Sequence, residues 1–372
     1  MEQLNISQVD TIFANGSYPI EFLIYYKNRL DGTKIRTSLK KLSRDFWPVF
    51  GRYDNGQILF DKYHEDEYFD EEARDQLFDL EQKNEDLYKA FRDIILRDLK
   101  RLIFLKVIQF KNGSVLIAKM NHLAGDGYSY FYFLSVLAQL TQNGILPFKN
   151  WLIRFLAKPK HNRTILKEFR LPDIKLNPPI AAADVKIHDQ KVLKAEVKNL
   201  IRQISVKLNQ AVSTNDILSA MVVKKLAELL PDKKKFQLSI PVDVRRYIKE
   251  YGAKFFGNGL MFNRIDFENN EIHASDIQSI AIEIRRGMPE ISIDTYKSYL
   301  TTLEAMINKK QTEKLVPYDP QSGCLVTNLS RLPVNRLNFG GGNPDFIFPL
   351  TIGKNAASIL SYKDNFILRI VC

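Results

Sequence analysis

The 372-residue chain is 45% hydrophobic and 26% charged, with a formal net charge of +11, enough apolar material for a large core in two domains of ordinary size and too much for disorder. No run approaches the roughly 18 uninterrupted apolar residues of a membrane span, and residues 1–10 lack the basic start and apolar stretch of a leader, so a soluble, unexported protein is expected. Two cysteines, Cys324 and Cys372, give neither a disulfide framework nor metal-ligand spacing, which fits a reducing compartment and makes the cytoplasm the expected address. In chain order, an extended segment at Tyr18 to Lys27 leads to a helix at Lys34 to Asp45. Asp61 to Asp86 then carries twelve acidic residues against Lys62, Arg74 and Lys83. It is expected to be helical, with a helix at Ala73 to Leu99. Ile103 to Phe110 and Ser114 to Asn121 form a hairpin about Asn112-Gly113. After Gly127, the apolar residues Phe131, Leu134, Leu137, Ala138 and Leu140 recur at helical spacing.

Pro159, Pro172, Pro178 and Pro179 punctuate an aperiodic stretch read as a linker. It divides the chain into an N-terminal part at 1–158, a crossover at 159–191 and a C-terminal part at 192–372. The latter begins with helices at Val192 to Leu208 and Asn215 to Leu230. Strand patterns follow at Lys235 to Ile240, Gly259 to Ile265, Gly323 to Asn328, Ala357 to Ser361 and Phe366 to Val371. Both parts are thus mixed α and β. The acidic stretch leaves the rest of the chain more basic than the total suggests. A basic body can concentrate a polyanionic small molecule. It lacks the aromatic and basic interleaving of a nucleic-acid reader, and no nucleic-acid or membrane partner is expected.

The most informative segment is Lys119-Met120-Asn121-His122-Leu123-Ala124-Gly125-Asp126-Gly127, which joins a buried strand to a helix. Such a junction can hold an imidazole rigidly. A histidine near its ordinary pKa of about 6.5 is poised to act as a base when one ring nitrogen faces an acceptor and the other is held. A structural role for the histidine is the competing reading. Asp126, one turn on, suits an N-cap or a distant arginine better than a catalytic role. Gly125 and Gly127 permit close backbone approaches. His161, His188 and His273 have no ligand partners nearby in sequence, and no metal is assigned. Gly340-Gly341-Gly342 precedes Asn343-Pro344 rather than a helix, so it is not a phosphate-binding loop.

The His122 motif resembles the HXXXDG signature of the acyl-CoA-dependent acyltransferases called BAHD, relatives of chloramphenicol acetyltransferase. Further segments agree in order and spacing. Ser38 to Leu42 with Asp45 to Arg52 is similar to the family's early helix and Pro-X-X-Gly-Arg segment, and Ser213 to Ala220 to its second-domain helix start. Pro241-Val242-Asp243-Val244-Arg245-Arg246 and Phe255-Phe256-Gly257-Asn258 resemble Val-Asp-X-Arg and Tyr-Phe-Gly-Asn. Val326 to Pro333 and Asn338 to Gly342 resemble Thr-Ser-Trp-X-Arg-X-Pro and Asp-Phe-Gly-Trp-Gly.

The resemblance implies an α/β fold of two chloramphenicol-acetyltransferase-like lobes, mixed sheets flanked by helices, with a channel between them. It implies a monomer with no permanently bound cofactor that moves an acyl group from acyl-CoA to a hydroxyl or amine of a small molecule. His122 would be the general base, with Gly127 completing the motif. Asp126 would face away from the channel and pair with Arg245. Thr327 would lie near the acceptor and the developing oxyanion, and Arg331 is a candidate for binding CoA. In three places the chain departs from the pattern. Asn338 and Gly341 replace a carboxylate and an indole, Leu329 replaces an acceptor-side tryptophan, and the family's first strand is missing ahead of Ile6-Ser7-Gln8-Val9-Asp10. Two alternatives remain open. One is a condensation-like acyltransferase fed by a carrier protein, against which Asn121 stands where that group has a second histidine. The other is a degenerate, non-catalytic binding module.

Overall fold

The computed structural model describes residues 1–13, 19–92, 101–143, 168–169, 186–232, 234–249, 251–252, 255–350 and 353–372. The first half runs β1 (Glu2–Ser7), β2 (Ile20–Tyr26), α1 (Gly32–Leu42), β3 (Arg52–Asp54), β4 (Gln57–Phe60), β5 (Phe69–Ala73), α2 (Asn84–Arg92), β6 (Ile103–Phe110), β7 (Gly113–Met120), α3 (Gly127–Asn143) and β8 (Glu168–Phe169). The second half runs β9 (Ile187–Leu193), α4 (Lys194–Leu208), α5 (Thr214–Leu229), β10 (Lys235–Asp243), β11 (Leu260–Glu268), α6 (Asn269–Ala274), α7 (Ile277–Gly287), α8 (Ile293–Asn308), β12 (Gly323–Asn328), β13 (Phe346–Pro349), β14 (Ala356–Tyr362) and β15 (Asn365–Val371).

Three mixed or antiparallel sheets result, with strand orders β13-β2-β7-β6-β5, β11-β10-β12-β14-β15-β9 and β3-β4-β1-β8. In the five-stranded sheet every residue of β2 and β7 is buried. Alternation explains how. Phe22, Ile24, Leu116 and Ala118 enter the largest core, while Leu23, Tyr25, Val115 and Ile117 enter a second one on the opposite face. Both faces of the strand that leads to His122 are therefore packed. The six-stranded sheet carries its own core, closed by α5 and α7. Ser213 and Asp216 cap the start of α5 reciprocally, and Asp216 also accepts from Arg285 Nε at 2.8 Å.

The middle of the acidic stretch is a strand where a helix was expected. Phe69–Ala73 runs parallel to β6. Its alternate carboxylates, Asp70 and Glu72, reach Lys106 at 3.1 and 2.6 Å, a period of two that the charge count conceals. Of the expected helix at 73–99, Asn84–Arg92 is helical and 93–100 lies outside the described residues. The hairpin turns on Lys111-Asn112, with Gly113 already paired to Phe110. An added Cβ at Gly113 would sit 2.2 Å from the Tyr26 carbonyl oxygen. A strand does precede the Asp10 segment, since β1 pairs with β4 from Glu2↔Phe60 to Asn5↔Gln57.

Most of the expected crossover at 159–191 lies outside the described residues. Its last five residues belong to β9, which pairs with β15. The division also leaks in the other direction. β13, from the second half, closes the first sheet by pairing with β2 from Phe346↔Tyr25 to Pro349↔Phe22. Val244, Phe255, Phe256 and Leu300 likewise belong to the first core. Among the described residues no helix is long and apolar enough to cross a membrane.

Candidate active site

His122 lies two residues beyond the end of β7. The backbone there is tightly tied: Asn121 N–H donates to the Leu102 carbonyl at 2.7 Å, Ala124 N–H to the Asn121 carbonyl at 3.0 Å, and Gly125 N–H to the His122 carbonyl at 3.2 Å. One face of the imidazole is covered by Phe13, with ring centroids 3.9 Å apart and planes within 9°. Its Nδ1 faces Asn258 Oδ1 at 3.4 Å. Asn258 Nδ2 donates to the His122 carbonyl at 2.7 Å and to Asp10 Oδ1 at 2.8 Å.

Those two acceptors orient the Asn258 amide, so its oxygen is what His122 meets. Nδ1 must then carry the ring proton, which leaves the Nε2 lone pair available. Asp10 is held in turn by Ser7, whose N–H and hydroxyl donate to it at 2.7 and 2.9 Å. A chain of polar contacts thus runs from the Ile6 to Asp10 segment through Asn258 to the histidine and joins the two halves of the sequence. The residue as a whole is only partly buried. Burial pushes the imidazole down to about 4, against the pull of Asp126, Asn258 and Asp10 in the other direction. The sequence expectation of an unshifted pKa does not hold, because that expectation ignores desolvation.

Asp126 does two jobs. Oδ1 accepts from Ser129 N–H at 3.0 Å, the capping bond of α3. Arg245 meets both carboxylate oxygens, Nη1 to Oδ2 at 2.8 Å and Nη2 to Oδ1 at 3.0 Å. Gly259 N–H adds a bond to Oδ2 at 2.9 Å. Burial alone would raise the Asp126 carboxyl, but the Arg245 guanidinium and these amides hold it below the usual carboxylate range. Arg245 is saturated as well, donating to the Phe255 and Gly257 carbonyls and lying 4.7 Å from the Tyr128 ring centroid. A Cβ on Gly259 would sit 2.8 Å from Arg245 Cζ.

The two motif glycines differ. A Cβ on Gly125 would come within 2.7 Å of Ser129 Cβ, whereas one on Gly127 would meet nothing within 4 Å. The close approach expected of both belongs to Gly125. Thr327 is half-buried on β12 opposite Ser358. Among the described residues no hydrogen bond joins it to His122. Arg331 is exposed on the turn after β12. In the altered glycine segment, Asn338 Oδ1 accepts from the Gly340 and Gly342 N–H groups at 2.9 and 3.1 Å. Phe339 is buried against Tyr26, whose hydroxyl donates to the Leu337 carbonyl at 2.7 Å. An amide therefore closes this loop without a carboxylate.

Asn258, Asp10 and Phe13 are the site residues that sequence reasoning passed over. Two of them end segments already recognised, Phe255 to Asn258 and Ile6 to Asp10, and that is the signal that pointed to them. Comparison with known proteins matches residues 75–365 to the Transferase family. Piperine synthase of Piper nigrum is 22% identical over 279 residues, covering 71% of this chain and 58% of that protein's length. The crystal structure of F. graminearum TRI101 with coenzyme A and T-2 mycotoxin superposes with a TM-score of 0.74 at 14% identity, covering 100% of this chain and 95% of that one. Vinorine synthase gives 0.73 at 18% identity, with 100% and 90% covered. With its two lobes of mixed sheets and flanking helices, and with most of its length matched, the chain belongs to the Transferase family, the BAHD-type acyltransferases.

Proposed function

We propose that this protein moves an acyl group from acyl-CoA to a hydroxyl or amine of a small-molecule acceptor, with His122 as the general base. The observation that carries this reading is the neutral imidazole at the meeting of the two halves, with Nδ1 engaged by Asn258 and Nε2 left without a proton. Nε2 takes the acceptor proton as the acceptor oxygen or nitrogen attacks the thioester carbonyl. The tetrahedral intermediate then expels the CoA sulfur, which recovers that proton from the imidazolium. Thr327 is our candidate donor to the oxyanion. Asp126 acts only through the shape of the turn, since Arg245 already claims its charge. Arg331 is kept as the candidate contact for CoA.

TRI101 was solved with coenzyme A and a small-molecule mycotoxin, which supports a CoA donor and a small acceptor here. We further propose that the protein works as a cytosolic monomer; that Cys324 and Cys372 form no disulfide supports the reducing compartment. The test is thiol release from a panel of acyl-CoA thioesters with hydroxyl and amine acceptors, with the product identified by mass. Acceptor-dependent release with matching acylated product is expected. Thiol release with no acylated acceptor from any pair would overturn the proposal.

A further inference from the structure

A pocket of ≈ 180 Å³ lies beside Phe13, the ring that stacks on the histidine. Ile12, the neighbour of the Phe13 that stacks on the imidazole, forms part of its wall. So does Phe262, whose ring centroid lies 6.0 Å from that of Phe13. Leu303 and Met306 of α8 complete an apolar interior, and Arg264 and Lys314 add two cations. Both are exposed, so their charge sits at the mouth. Arg264 donates one N–H to the Val316 carbonyl at 2.9 Å. A guanidinium has five N–H groups, and a neutral carbonyl leaves its charge uncompensated. Among the described residues no carboxylate forms an ion pair with either cation. The pocket is thus apolar inside, doubly positive at its opening, and about the size of a cavity (about 150 Å³) that holds one benzene ring.

We infer that this pocket binds a small molecule with one ring or a short branched body carrying a carboxylate. The inference rests on the pocket alone and not on the acyl-transfer reading. Apolar walls favour removing a ring from water, and the two cations select the anion over its neutral counterpart. A CoA phosphate would use the cations but leave the apolar volume unused.

The test compares 3-hydroxybenzoate with 3-hydroxybenzamide, which share size and shape and differ in charge. Calorimetric binding is measured to the wild-type protein, Arg264→Gln and Lys314→Gln, with and without saturating CoA. The wild type should bind the carboxylate roughly tenfold more tightly than the amide, the scale of a charge-assisted hydrogen bond. Each substitution should remove much of that ratio, and CoA should leave it standing. Equal binding of the two probes, no binding of either, an unchanged ratio in both variants, or displacement of the carboxylate by CoA would overturn the inference. Binding needs no turnover, so carboxylate selectivity in a protein that transfers nothing would count against the proposed reaction and not against the pocket.

Discussion

An imidazole stacked on Phe13 and held at Nδ1 by Asn258 is kept neutral by its surroundings. Because its folded-state pKa is lowered from 6.5 to about 4, the active form survives as pH falls below 6.5 and is lost only on approaching 4. The acid limb of kcat/KM should therefore have its midpoint below 5, and a midpoint at 6.5 or above would contradict this environment. Stability follows the same window. Between 6.5 and 4 the unfolded chain takes up a proton that the folded one refuses, so folding weakens as pH falls, by about 3 kcal/mol at the limit. Asp126 has a different fate. It and Arg245 are only 4% and 3% exposed at their side chains, so Asp126→Ala leaves a buried guanidinium with only the half-exposed Asp243 carboxylate, 3.2 Å away, and should cost about 3–5 kcal/mol, read from the denaturant midpoint. A loss below about 1 kcal/mol would deny the pair its structural weight. Both partners were legible as motif residues. Phe13 and Asn258 were not, because their contacts with His122 bridge more than a hundred residues, and spacing along a chain is silent about such contacts.

At the scale of elements, the strand, turn and helix around His122 were readable because local rules agree there. Apolar alternation makes β7, helical spacing makes α3, and a carboxylate one residue before the helix caps it. The glycines show where local reading ends. Gly125→Ala should cost about 1–3 kcal/mol because its Cβ meets Ser129, while Gly127→Ala, free of contact, should be neutral or raise stability by up to about 1 kcal/mol. Thermal melts of the two variants check this, and equal losses would contradict it. Strand β5 misled for the opposite reason. Its carboxylates alternate toward Lys106, and a count of charges sees an acidic helix where pairing makes a strand.

At the scale of the molecule, the two halves share a sheet and a core, which no division at a proline-rich linker foretells. β13 adds to the edge of β2, and Phe255 and Phe256 pack into the first core. The protein should therefore unfold in one calorimetric transition. Two separable transitions would show the halves to be independent. The same joining places Asn258 of one half against His122 of the other, so the proposed base is held in place only in the assembled molecule. The most direct test of the central claim is acceptor-dependent thiol release by His122→Ala beside the wild type, with CoA affinity measured on both. A fall in kcat of about 10²–10⁴-fold with CoA affinity retained is the predicted result. Equal turnover by the two proteins would contradict it.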